Sequence, residues 1–235
     1  VSSLRYFSNT AAAFPVHHIQ QLRQKFPHVM IYSMYGLSEC KRVSYLPPSE
    51  IDRRTGSVGI AMPNTEVFVV DEKGARVDPG VVGELVVRGA HVMKGYWKDP
   101  EETAKRLKPG FLPNESLLYT GDLFRTDEEG FLYFVSRKDD LIKTRGERVS
   151  PKEVENALYE IEGVVEAAVI PVPDDILGNA IKAFLVKDPD MDLTKKDVQA
   201  HCTRTLESFM VPKFIEFVDS FAKTSSGKID KKLLL

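Results

Sequence analysis

The sequence predicts an α/β unit, with a sheet and a small β-barrel, followed by a smaller α+β unit. Three observations predict it. The first third alternates short apolar runs with one stretch of helical spacing. Residues 56–95 change to alternating strands punctuated by Gly and Pro turns. From Asp139 onward, strands and helices alternate again. The 235 residues suffice for two cores, and the expected division is 1–138 and 139–235.

The elements follow in order. Residues 4–7 form a short strand, and 16–25 have helical spacing with Ile19 and Leu22 on one face. Residues 28–35 are apolar and β-prone and run directly into Gly36-Leu37-Ser38-Glu39. Strands at 65–70 and 83–88 are separated by the Asp71-Glu72-Lys73-Gly74 and Pro79-Gly80 turns, which is the texture of a small antiparallel sheet or barrel. A helix is expected within 96–107, with Asp99 as N-cap and Pro100 at the first helical position. Residues 119–125 and 131–136 form a hairpin around Asp127-Glu128-Glu129-Gly130. In the second unit, Ser150-Pro151-Lys152-Glu153 is a capping box opening a helix that buries Val154, Ala157, Leu158 and Ile161. Strands at 164–171 and 180–186, a helix from 194 to about 206 and a strand at 214–218 complete it.

Composition narrows the class. Apolar residues make up 43% and charged residues 28%, with a net charge of −2, so neither nucleic acid nor a membrane surface is indicated as a partner. No apolar run approaches the roughly 18 residues of a membrane span. Two cysteines, Cys40 and Cys202, argue against a disulfide scaffold and for a reducing, cytoplasmic setting. No signal peptide is evident. The opening Val-Ser-Ser-Leu-Arg, without Met, suggests that residue 1 is not a natural start.

Several segments carry chemistry. Tyr35-Gly36-Leu37-Ser38-Glu39 ends a strand, where open α/β sheets bind ligands. Gly36 permits close backbone approach, Tyr35 offers a face for a purine, Ser38 a hydroxyl for phosphate and Glu39 a hard oxygen for Mg²⁺; taken alone, the segment reads first as a plain strand-to-loop turn. In Tyr119-Thr120-Gly121-Asp122-Leu123, the Asp after a Gly turn can accept from both ribose hydroxyls or can support the hairpin. Arg137 supplies a planar cation for phosphate or ribose oxygens. Near the end, residues 222–230 put Lys228 on a Ser/Gly loop, either a cation that visits a site or a solvated basic tail. Ser225 to Lys228 is no Walker loop, because Ala222 and Ile229 stand where Gly and Ser or Thr are needed. His17-His18 and His201-Cys202 lack metal-site spacing. Cys40 reads as a packed thiol, and Trp97 and Phe111 as packing residues. Asn114-Glu115-Ser116 fits a glycosylation sequon, but nothing else suggests secretion.

Together with Gly83-Glu84-Leu85, Gly89, Gly95-Tyr96-Trp97, Ser136 to Lys143, Gly146-Glu147-Arg148 and Ser226-Gly227-Lys228-Ile229, these motifs run colinearly through the chain. The chain resembles the C-terminal part of an AMP-forming acyl-CoA synthetase of the adenylate-forming superfamily. That group also includes nonribosomal-peptide adenylation domains and firefly luciferase.

The resemblance implies a two-step ligase using ATP, Mg²⁺ and coenzyme A or a carrier-protein pantetheine. A carboxylate becomes an acyl-adenylate, and the acyl group then passes to a thiol. Lys228 matches the catalytic lysine, Glu39 the Mg²⁺ ligand, Asp122 the ribose acid and Arg137 its partner on the nucleotide. Tyr35 is placed on adenine and Ser38 on phosphate, with Gly36 between them. Asn9, Thr10 and Ala11 fall where the adenine and acyl pockets are lined. Asp139 matches the hinge of a mobile C-terminal domain, and Lys143, Gly146 and Arg148 lie on the thiol side. Ser38 stands for the commoner Thr, Asn9-Thr10 for small glycines and Ser136 for Gly. The family's upstream phosphate loop is absent, so the chain is expected to be a fragment. A stand-alone amino-acid adenylation domain, or an inactive interaction module, are the alternatives.

Overall fold

The computed structural model describes residues 3–10, 14–225 and 227–234, with His17 described by its backbone only. The chain divides into two units, 1–138 and 139–235.

The first unit opens with a parallel β-α-β crossover. Strand β1 (Tyr6–Asn9) pairs with β2 (Met30–Tyr35), Tyr6 opposite Met30 and Asn9 opposite Ser33, with α1 (Val16–Lys25) between them. A helix of this length is what joining two parallel strands requires. It buries Ile19 against Ile31, with Leu22 partly covered. Short strands β3 (Ser44–Tyr45) and β4 (Ile60–Ala61) extend this sheet in the order β1-β2-β3-β4.

The second sheet is antiparallel. It contains β5 (Thr65–Val70), β6 (Gly83–Gly89), then α2 (Pro100–Arg106), β7 (Leu107–Pro109), β8 (Ser116–Thr126) and β9 (Leu132–Arg137). Its order is β5-β6-β8-β7, with β9 also on β8. The barrel expected from the turn spacing does not form among the described residues. Strands β7 and β9 share one edge of β8 end to end, against residues 116–118 and 122–126. The sheet is therefore only four strands wide at any height, too narrow to close. One face packs Leu85, Val87, Leu118 and Phe124 together, and the other Val70, Val86 and Leu117. Helix α2 lies within 96–107 as expected, Pro100 opening it after Asp99 caps the amide of Glu102, while Lys98, at φ +55, turns the chain just before.

In the second unit a hairpin of β10 (Ile142–Thr144) and β11 (Glu147–Val149) precedes α3 (Pro151–Tyr159). Strands β12 (Val164–Asp174) and β13 (Gly178–Lys187), helix α4 (Lys195–Thr205) and β14 (Phe214–Phe217) follow. The sheet order is β12-β13-β14, and α4 makes the crossover to the parallel strand β14. The Ser150 side chain accepts from the Glu153 amide at 3.3 Å. A reciprocal capping box stands at Thr194 and Asp197, where the sequence reading had placed only a helix start. Ile161 lies beyond the end of α3 but still packs, partly buried, on the same core. Helices α3 and α4 cover one sheet face through Val154, Leu158, Val198 and Cys202. Phe221, Ile229 and Leu234, from the chain's last segment, pack on Ala168, Ile170 and Phe184.

Leu158 is fully buried between α3 and this sheet. Leu158→Ala is expected to cost about 2–5 kcal/mol, read as the urea midpoint of the far-ultraviolet dichroism. A cost within measurement error would contradict the packing described.

Candidate functional site

The site is built around an irregularity in β8. Between the register pairs Glu84↔Leu123 and Val86↔Tyr119, Thr120, Gly121 and Asp122 stand opposite the single residue Leu85. Such a bulge re-aims a side chain, and it leaves backbone amides without ladder partners. Side chains take them. The Gly121 amide donates to Glu84 Oε1 at 2.9 Å, and the Asp122 amide to Thr120 Oγ1 at 3.1 Å. Gly121 sits at φ +74, and a Cβ there would lie 2.1 Å from Arg106 Nη1. The positive φ favours glycine here, and any larger residue would also push the Arg106 guanidinium aside.

The bulge presents Asp122, whose residue is only 6% exposed. Its Oδ2 accepts a 2.6 Å hydrogen bond from the Tyr35 hydroxyl. Its Oδ1 faces Arg137 Nε at 3.5 Å, and Arg137 is its register partner on β9. The Arg137 side chain is 64% exposed, so it can reach outward as well as back. Burial, then the Asp122 charge, raise the Tyr35 phenol well above its ordinary value of 10.0. The hydroxyl therefore remains a donor at any working pH. The Tyr35 ring packs edge-on to Phe124 at 4.8 Å.

Tyr35 ends β2, and Asn9 ends the adjacent parallel strand β1, so both lie at the carboxyl edge of that pair. Thr10 is exposed just beyond, and Ala11 lies outside the described residues. The room beside Gly36 is filled by the chain itself, because a Cβ would meet the Lys41 carbonyl oxygen at 1.9 Å. Gly36 thus serves the turn directly, which the sequence reading had assigned to ligand approach. Ser38 is exposed on the same turn. Glu39 Oε1 accepts from the Tyr96 hydroxyl at 2.5 Å, and the Glu39 carbonyl accepts from the Met93 amide at 2.7 Å. Partial burial and this bond push the Tyr96 phenol up to about 12. Among the described residues no group of three or more His, Cys, Asp or Glu side chains is placed to hold a metal. A cation at Glu39 would take its remaining oxygens from a bound phosphate and water, as Mg²⁺ usually does.

The remaining expected residues lie in the second unit. Asp139 is its exposed first residue. Lys143 and Arg148 are direct cross-strand partners on the exposed face of the β10–β11 hairpin. Arg145 and Gly146 turn it with φ +52 and +83, as a type I′ turn requires. Gly146 is thus set by backbone conformation, since a Cβ would meet nothing within 4 Å.

Lys228 is exposed on the loop at 222–230. This loop is a closed turn and not a frayed tail. The Thr224 amide donates to the Lys228 carbonyl at 2.7 Å, the Lys228 amide to Thr224 Oγ1 at 3.2 Å, and the Asp230 amide to the Ala222 carbonyl at 2.9 Å. Ser226 lies outside the described residues.

Two expectations fail. Trp97 is 88% exposed and Phe111 63%, so neither is a core packing residue; Phe111 only borders Phe68 and the Arg88 guanidinium at the surface. Glu84, Arg106 and Tyr96 were not singled out as functional. Glu84 and Tyr96 did stand inside motifs quoted from the sequence, Gly83-Glu84-Leu85 and Gly95-Tyr96-Trp97, and that was the only signal.

This site, at the carboxyl edge of an α/β sheet and beside a strand bulge, is of the kind that holds a nucleotide. Residues 1–97 match the family model described as AMP-binding enzyme, and residues 153–228 match that of the AMP-binding enzyme C-terminal domain. The chain belongs to the adenylate-forming AMP-binding enzymes. It is 42% identical over 200 residues to a long-chain-fatty-acid–CoA ligase of Escherichia coli O157:H7, covering 85% of this chain and 34% of that protein. The corresponding ligase of Bacillus subtilis (strain 168) is 37% identical over 239 residues, covering 100% of this chain and 41% of that one. Among solved structures, ATP-bound MatB from Rhodopseudomonas palustris superposes with a TM-score of 0.87 at 31% identity, covering 97% of this chain and 44% of that one. The chain thus spans between a third and a half of the length of the proteins it matches.

Both thiols are buried and free. Burial raises Cys40 to about 12, with the Glu39 charge adding, and Cys202 to about 11. Neither is expected to react with an aromatic disulfide reagent at pH 8 until the protein unfolds. Because the folded values are raised, the stability gained by keeping the thiols neutral is full below their ordinary 9.0 and declines as pH climbs toward 12. Reaction of either thiol in the native protein would contradict this burial.

Proposed function

We propose that the chain is part of an AMP-forming acid–thiol ligase that activates a carboxylic acid, a fatty acid foremost, with ATP and passes the acyl group to coenzyme A or a carrier-protein thiol. The observation that carries this reading is the buried Asp122 carboxylate, aimed by a strand bulge and held by Tyr35. Two hydroxyls on adjacent carbons suit such a fixed acceptor, and Arg137 beside it adds a donor fork. Tyr35 is held by Asp122 with its ring available to adenine. Asn9 and Thr10 border the same edge, Ala11 follows them in the sequence, and Ser38 offers its hydroxyl to phosphate. Glu39, oriented by Tyr96, keeps a carboxylate oxygen for Mg²⁺, which would neutralise phosphate charge when bound.

In the first step a carboxylate oxygen attacks the α-phosphorus of ATP, and the bond to pyrophosphate breaks, its electrons leaving with pyrophosphate. Two anions must meet, so a cation is needed where they approach. Lys228 fills that role. In the second step a thiol sulfur attacks the acyl carbon, loses its proton and displaces AMP. Lys143 and Arg148 present two cations side by side across the exposed face of the hairpin, and we assign them to the phosphates of the thiol carrier. Gly146 keeps the hairpin tip narrow beside them. Residues 1–138 and 139–235 act as the nucleotide-binding and mobile domains, with Asp139 as the hinge. Among the described residues no helix is long and apolar enough to cross a membrane, and two free, buried thiols suit the cytoplasm.

The test uses the full-length enzyme that contains this chain. Carboxylate-dependent ATP–pyrophosphate exchange is expected with fatty acids. Lys228→Ala is expected to lower exchange by roughly 10²-fold or more while sparing thioester formation from supplied acyl-adenylate. Equal loss in both half-reactions would overturn the role of Lys228. Exchange with amino acids alone would favour an amino-acid adenylation domain. Absence of exchange with every acid, in enzyme that binds ATP, would favour an interaction module.

A further inference from the structure

Glu84 stands where the irregularities of three strands meet. Its side chain is only 13% exposed, yet both carboxylate oxygens are used. Oε1 accepts from the Gly121 amide at 2.9 Å, and Oε2 accepts from Lys138 Nζ at 2.8 Å. The circuit closes through the backbone, where the Lys138 amide donates to the Gly121 carbonyl at 2.9 Å. Both polar groups of Gly121 are thereby fixed.

The neighbours of these two residues give the circuit its meaning. Gly121 precedes Asp122 and Lys138 follows Arg137, and Asp122 and Arg137 are register partners across β8 and β9. Glu84 therefore grips the flanks of the very pair that faces the proposed ribose. A second register shift in β8–β9, between Leu123 and Phe124, lies immediately beyond. From the other side, Arg106 Nη1 donates to the Thr120 carbonyl at 3.1 Å. Without Glu84 the ladder on β6 offers the Gly121 amide no acceptor, and a partly buried amide left without a partner favours rearrangement of the bulge.

We propose that Glu84 is a positioning residue for ribose recognition, holding the β8 bulge in the shape that presents Asp122 and Arg137 to the two ribose hydroxyls. This rests on the reading of Asp122 as the ribose acceptor. Glu84 itself lies behind the bulge and is assigned no contact with the nucleotide. Its effect is confined to the hydroxyls, leaving adenine and phosphate recognition in place.

Calorimetric titration of the full-length enzyme with AMP and with 2′,3′-dideoxy-AMP tests this. The wild type is expected to prefer AMP by about tenfold or more, the least that one hydrogen bond to a charged acceptor implies. Glu84→Ala is expected to lose most of that preference by weakening AMP alone. Glu84→Asp, which keeps the charge but is too short to span Gly121 and Lys138, is expected to do the same and guards against an alanine variant that does not fold. Glu84→Gln, retaining an acceptor for Gly121, is expected to restore most of the preference. A wild-type ratio in Glu84→Ala or Glu84→Asp, or an equal loss toward both nucleotides, would overturn the proposal while leaving the Asp122 reading intact. A wild type that binds both nucleotides equally would overturn that reading and this proposal together.

Discussion

The hydrogen bond from Tyr35 to Asp122 is the interaction on which the candidate site depends. It joins the last residue of β2, in the mixed β1-β2-β3-β4 sheet, to the bulge of β8, in the antiparallel one. A bond of this kind to a charged acceptor is worth about 1.5–3 kcal/mol. Its larger consequence is geometric. It fixes a carboxylate that is nearly inaccessible to water and keeps a donor on it, so that little reorganisation is left for a ligand to drive. The buried side chains Cys40, Val43, Leu85 and Phe124 around it form one core shared by both sheets, so the position of Asp122 is set by packing as well as by hydrogen bonds.

The same economy governs the terminal lysine. The role proposed for Lys228, a cation present for one step and absent from the next, invites the picture of a floppy tail. The loop at 222–230 instead closes on itself, and Ile229 and Phe221 pack it onto the face of the β12-β13-β14 sheet opposite the helices. Any displacement of Lys228 therefore belongs to the whole unit that carries it, and not to a tail moving alone. A loop closed by its own backbone hydrogen bonds loses less conformational entropy on engaging a ligand, which suits the role proposed for Lys228.

Much of the fold was legible because the signals were local. Helix α1 was read at its observed bounds from apolar spacing, and Asp99 and Ser150 were read as caps because capping chemistry involves residues three apart. Turn residues likewise located the β8–β9 hairpin. The open sheet was not legible, since nothing in β7 or β9 announces that they share one edge of β8. The β10–β11 hairpin hid in a segment read for its charges, although Arg145-Gly146 at its turn was a fair signal. Within the site, Asp122, Tyr35 and Arg137 were found through motif order. Their partners were not, because Glu84 meets Gly121 and Tyr96 meets Glu39 across long stretches of chain. Gly36 and Gly146 were read for ligands, yet the structure uses them for its own turns.

The central claim is that Asp122 is the acceptor for a nucleotide's ribose. The most direct measurement is the affinity of the full-length enzyme for AMP with Asp122 and with Asp122→Asn. The substitution keeps shape but removes the charge and one acceptor oxygen. The account requires a weakening of about tenfold or more, with the folded structure retained by dichroism. Unchanged affinity in a folded Asp122→Asn enzyme would contradict it.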